Sequence, residues 1–145
     1  MSAARSYEAR SLIEATPEQV WATLTDVAAW PDWDSGVNTV EGELALGAKL
    51  TISVEANVGR SFAVTVKELS APSRMVFRGG MPLNLFVGQR TYSLEPEDNG
   101  TRFTMREEYT GPLAGMITKR IPDLSPSFQQ FADGLKEHVS RRPSP

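Results

Sequence analysis

Two short stretches hold the residues best suited to chemistry. In "FVGQRTYSLE", residues 86–95, strict alternation sets Phe86, Gly88, Arg90, Tyr92 and Leu94 on one face of an extended chain. In "TRFTMREEYT", residues 101–110, it groups Phe103, Met105, Glu107 and Tyr109. A hairpin closed through "PEDNG" sets Leu94 across from Phe103, Tyr92 from Met105 and Arg90 from Glu107. A turn of different geometry slides these partners by two residues and leaves the faces intact. An arginine and a glutamate on an otherwise apolar face are costly unless paired or wet. They are therefore either a structural ion pair or the polar patch of a solvated cavity. In the second reading Glu107 is a candidate base unless Arg90 holds it ionised, and Arg90 can steady an enolate-like oxyanion. Tyr92 or Tyr109 would then donate a proton. These four residues are the catalytic candidates, suited to a ligand with an apolar body and a carbonyl, phenol or carboxylate group.

Other chemistry is poorly supplied. The chain has no cysteine, hence no thiolate nucleophile and no disulfide. Its single histidine, His138, has no second imidazole to help hold a metal, so neither metal nor cofactor is expected. "RGGMPLNLFVG", residues 78–88, is glycine-rich, but a strand pattern follows it where a phosphate-binding loop needs a helix. It reads instead as a flexible lip at one end of a cavity, with Asn84 as a polar contact. A net charge of −3 and a pI near 5.2 give no general attraction to nucleic acid, and only Arg141-Arg142 forms a basic pair. The opening "MSAARSYEAR" lacks the apolar core of a signal peptide, and no apolar run approaches the roughly 18 residues of a membrane span. A cytoplasmic protein without integral membrane association is expected, as a monomer or homodimer.

The elements that must position these residues are well punctuated. "SYEARSLIEA" alternates as a strand with Tyr7, Ala9, Ser11 and Ile13 on one face. Thr16 then offers an N-cap, Pro17 a first helical position and Gln19 a capping-box partner. Val20, Trp21, Leu24, Val27 and Ala28 follow as an apolar stripe, and Pro31 forces a turn or restart near Trp30. "PDWDSG" reads as a short helical turn closed by Gly36. Six strand-like segments occupy residues 37–110, separated by "LALG", "NVG", "SAPS", "MPLN" and "PEDNG", which implies an antiparallel meander. "GPLAGMITKRI" places Leu113, Met116, Ile117 and Ile121 on one helical face, Pro122 and Pro126 interrupt it, and Ser125-Pro126 restarts it. Phe128, Phe131, Leu135 and Val139 then form a second stripe. The chain reads as one domain over 1–145, with 137–145 a frayed tail. A curled sheet needs a cover, and only the C-terminal helix is long enough.

"IEATPEQVWATLTDVAAWPDWDSGV" resembles the opening of the polyketide cyclase/dehydrase and lipid-transport superfamily, also called START-like or SRPBCC. "GQRTYSLEPEDNGTRFTMREEYTGPL" resembles that family's penultimate hairpin, and "FQQFADGLKEHV" the end of its last helix. The resemblance implies an α+β helix-grip fold: a seven-stranded curled antiparallel sheet around a long C-terminal helix, with two short helices after the first strand. It also implies a small hydrophobic, aromatic, lipid- or polyketide-like ligand in an internal cavity. Metal-free chemistry of the cyclase or aromatase type, as a lyase or isomerase, is within the family's range. So is a non-catalytic interaction module of the chaperone-activator kind, which would use the outer sheet face. Expected cavity neighbours are Phe62, Val64, Phe77, Phe86, Met105, Met116, Ile117, Phe128 and Phe131. Trp21 and Trp30 read as core. Trp33 reads either as the corner of that core or as the rim of the cavity mouth.

Overall fold

A computed structural model describes residues 5–55 and 61–141. The expected turn at Asn57–Gly59 and the tail from Arg142 onward lie outside the described residues. The first strand, β1 (Arg5–Ile13), buries Tyr7, Ala9 and Ile13 on the face its alternation selects. Thr16 caps helix α1 (Pro17–Leu24): its Oγ1 accepts from the Gln19 amide at 3.2 Å, and its own amide donates to Gln19 Oε1 at 2.9 Å. The helix ends at Thr25, whose hydroxyl donates to the Trp21 carbonyl.

The chain then departs from the expected pattern. A 3-10 helix spans Val27–Asp32 and runs through Pro31 instead of breaking before it. So short a run forfeits only the one hydrogen bond that Pro31 cannot donate. Its tighter winding buries Val27 and Trp30 and turns Ala28 out to solvent, off the expected stripe. The helical turn thus comes earlier than "PDWDSG", and Gly36 closes the segment at a φ of +79°, where a side chain would be strained.

The meander follows as β2 (Val37–Glu41), β3 (Lys49–Val54), β4 (Ser61–Ser70), β5 (Arg74–Gly80), β6 (Val87–Glu97) and β7 (Gly100–Thr110). With β1 these make one seven-stranded antiparallel sheet in the order β1-β7-β6-β5-β4-β3-β2. Register shifts at Val37/Thr39 in β2 and Val66/Glu68 in β4 bend the ladder where the sheet must curl. Between β5 and β6 a short 3-10 turn covers Pro82–Asn84.

The C-terminal part is broken where the prolines demand. Helix α2 (Ala114–Thr118) stops before Pro122, and α3 (Ser125–Arg141) starts with Pro126 in its first turn, where a missing N–H costs little. α3 continues to Arg141, over the described part of the tail expected to fray from 137, because Val139 is buried and holds the last turn down. Phe131 anchors it: its ring lies 5.0 Å from Trp30, 5.2 Å from Trp33 and 6.0 Å from Phe103. The helix packs most closely on β1. The half of the concave sheet formed by β3, β4 and β5 is therefore left without a helix directly on it.

Candidate functional site

That uncovered half is a cavity of about 250 Å³. Val54, Phe62, Val64, Gly79, Gly80 and Phe86 form its walls on the sheet side, while Ile121, Leu124, Ser127, Phe128 and Phe131 close it from the helical side. Its floor is built by β6 and β7 through Gly88, Arg90, Met105, Glu107 and Tyr109. A side chain at Gly79 would meet the Ala63 carbonyl oxygen at 2.6 Å, so the close approach of β4 and β5 at this wall requires a glycine there.

The hairpin has the first of the two registers its sequence allows. Leu94 pairs with Phe103, Tyr92 with Met105 and Arg90 with Glu107. Arg90 Nη2 donates to Glu107 Oε2 at 2.9 Å, and the two side chains are only 15% and 12% exposed. Tyr109 donates its hydroxyl hydrogen to the same Oε2, also at 2.9 Å. Phe128 of α3 lies against the guanidinium, with 4.8 Å between Cζ and the ring centre, a cation–π contact. Phe86 stacks on Tyr109 with an interplanar angle of 10°. The result is one polar cluster set into an apolar wall.

Electrostatics follow from this packing. Burial works against the charge on Arg90, but Glu107 beside it prevails, and the guanidinium is held above its ordinary pKa. Burial pushes the Tyr109 phenol up, and the Glu107 charge pushes the same way. The Tyr92 phenol is also raised by burial, against the pull of Arg90. Two buried polar atoms here, Arg90 Nε and the Tyr92 hydroxyl, have no hydrogen bond of good geometry, and the guanidinium and the phenol lie against each other.

Several expected site residues lie elsewhere. Tyr92 and Phe77 are fully buried behind the cavity and pack against Trp30, serving the core. Met116 is 58% exposed on the outer side of α2, whose buried face is carried by Ala114 and Thr118. Ile117 is half-buried on the same helix and does not reach the cavity. Asn84 is exposed and accepts a hydrogen bond from Arg78, which turns it away from the cavity. The lip around it does contribute, through Gly79, Gly80 and Phe86.

Trp30 is core, 1% exposed, with its indole N–H donated to the Leu24 carbonyl. Trp33 takes the corner position. It stacks on His138 at 15° and meets Phe131 edge-on, outside the cavity lining. The backbone beside it touches α3 so closely that a Cβ at Gly134 would collide with the Asp34 carbonyl oxygen. Sequence reasoning missed this partnership of Gly134, His138 and Trp33; a helix glycine one turn before the histidine was its only signal. It also missed Leu124 and Ser127, which lie at the break between α2 and α3, where helical periodicity no longer tells the inner face. Among the described residues no group of three His, Cys, Asp or Glu side chains converges to hold a metal ion. No helix among them is long and apolar enough to cross a membrane.

A sheet curled around a terminal helix, with a lined hollow between them, defines a helix-grip protein. The chain belongs to the polyketide cyclase / dehydrase and lipid transport family, whose model matches residues 4–140. Solved structures share the fold at low sequence identity. The Mesorhizobium loti protein MLL2253 superposes with a TM-score of 0.74 at 17% identity, covering 97% of this chain and 100% of that one. A hypothetical protein of Helicobacter pylori gives 0.74 at 16%, covering 94% and 89%. DynU16, described as a putative protein in the dynemicin biosynthetic locus, gives 0.68 at 16%, covering 94% of this chain and 47% of its own length. No curated protein matches the chain in sequence.

Proposed function

We propose that this protein binds a small hydrophobic molecule in the hollow between β3–β7 and α3, with the Arg90–Glu107–Tyr109 cluster fixing its polar end. The observation that carries this reading is the cavity itself: a partly open, mainly apolar hollow with its charged groups gathered at one place. An interaction module working through its outer face would have no use for such a hollow. At about 250 Å³ the space lies below the range of drug-sized sites, which favours a compact aromatic body over an extended lipid or polyketide chain.

Catalysis is the second reading, and Arg90 is the residue that favours it. Its guanidinium lines the cavity and can polarise a carbonyl or hold a developing oxyanion. Glu107 is less suited to take a proton, because one of its oxygens already receives both Arg90 and Tyr109. Tyr92, buried outside the cavity lining, has no access to a substrate.

The test is native mass spectrometry of protein purified from its own host, followed by thermal melts with any molecule it retains. A ligand at about 100 times its Kd adds about 2.7 kcal/mol, which raises Tm by roughly 5–10 °C in a domain of this size. A chain that carries nothing, and whose melting ignores every compact aromatic tried, would overturn the binding reading.

A further inference from the structure

We infer that the cavity selects a neutral hydroxyl-bearing aromatic over an aromatic carboxylate. This rests on the binding reading above and goes on to name the chemistry of the ligand's polar end. A lone cavity arginine ordinarily recruits a carboxylate. Here the positive charge of Arg90 is already matched by Glu107 at 2.9 Å, and both side chains are largely shielded in the same wall. A carboxylate brought in would leave the cluster with one uncompensated negative charge in a poorly solvated place, a costly arrangement.

The free hydrogen-bonding position points to the same ligand. Glu107 Oε2 is used twice, by Arg90 and by Tyr109, whereas neither of those bonds takes Oε1. Arg90 Nε is fully buried and closed to a ligand, and the guanidinium also meets the Tyr92 phenol behind the cavity. The cluster therefore offers one acceptor. A hydroxyl fits it, because it donates to the carboxylate, which an ionised carboxylate ligand cannot do.

Gly88 keeps this edge open. It lies on the inward face of β6, two residues before Arg90, and lines the cavity. A Cβ there would stand 3.2 Å from the Tyr109 ring and 3.5 Å from Glu107 Oε1, covering the one carboxylate oxygen that the Arg90 and Tyr109 bonds leave free. No backbone atom stands in its way, so alanine at this position tests access without breaking the strand.

The experiment titrates the full chain at pH 7 with 2-naphthol, 2-naphthoate and naphthalene, following the amides of cavity-lining residues by NMR. At that pH the naphthol is neutral and the naphthoate ionised. The expected result is a Kd for naphthol at least about tenfold below that for naphthoate. In Glu107→Gln, which frees the Arg90 charge, the order should reverse. In Gly88→Ala, naphthol should lose most of its advantage over naphthalene. Naphthoate binding the parent as tightly as naphthol would overturn the inference and leave the binding reading standing. No response to any of the three, naphthalene included, would overturn both. The comparison in the parent decides the matter alone if Glu107→Gln fails to fold.

Discussion

Arg90 and Glu107 face each other across the β6–β7 ladder as directly paired residues, joined side chain to side chain at 2.9 Å with Phe128 closing over the guanidinium. Both are largely shielded, so neither charge is tolerable alone. Arg90→Met should destabilise the fold by about 3–5 kcal/mol, since it strands Glu107 in the wall. Adding Glu107→Leu should restore much of that loss. Urea unfolding of the three variants measures the cycle. A single mutant within about 0.5 kcal/mol of the parent would show that water in the cavity already solvates the pair.

The two glycines of the C-terminal helices should answer oppositely to the same substitution. Gly134→Ala drives a methyl group into the Asp34 carbonyl and should cost at least about 1–3 kcal/mol while loosening Trp33 from His138. Gly115→Ala, in α2 with nothing within 4 Å of the new Cβ, should stabilise by about 0.5–1 kcal/mol through helix propensity. Denaturant midpoints give the magnitudes, and tryptophan fluorescence reports the Trp33 environment.

Tyr92 and Tyr109 carry the same group under different conditions. The Tyr109 hydroxyl donates to Glu107, and Tyr109→Phe should cost about 1.5–3 kcal/mol, as for a bond to a charged acceptor. The Tyr92 hydroxyl is buried beside Arg90 without a partner of good geometry. Tyr92→Phe should therefore be near neutral or stabilising, and a loss as large as that of Tyr109→Phe would mean that the Tyr92 hydroxyl makes a bond in solution.

The parts of this molecule that strict periodicity governs were legible in its sequence. Alternation placed Arg90 and Glu107 on one face, with their direct pairing as one of two registers the turn allowed, and the Thr16–Gln19 pair marked the start of α1 to the residue. What escaped the sequence depends on distances between elements. Whether Tyr92 lines a cavity or lies behind it is decided by where α3 crosses the sheet, and alternation says only that it faces inward. Met116 shows the same limit. In a helix of five residues the apolar stripe is too short to fix a face, and Ala114 with Thr118 took the inner positions. Trp33 needed a tertiary partner, His138, more than a hundred residues away in sequence.

The raised phenols make an alkaline prediction with a definite sign. Burial lifts both Tyr92 and Tyr109 above the ordinary value of 10.0, and at Tyr109 the Glu107 charge adds to the lift. A group that holds its proton more tightly folded than unfolded contributes fully below the unfolded pKa, and that contribution is lost as pH rises toward the folded one. Stability should therefore be insensitive to these two residues below about pH 9 and fall steadily above about pH 10. Tyrosinate absorbance should show a shortfall at the ordinary step near pH 10, because the Tyr92 and Tyr109 phenols are both raised above it. The missing amplitude should appear only as the far-UV signal of the sheet collapses. Tyr109→Phe should remove part of that late amplitude. Full three-tyrosine amplitude near pH 10 in protein that is still folded would mean that water reaches both phenols, and that the wall around Arg90 and Glu107 is far more open than its packing indicates.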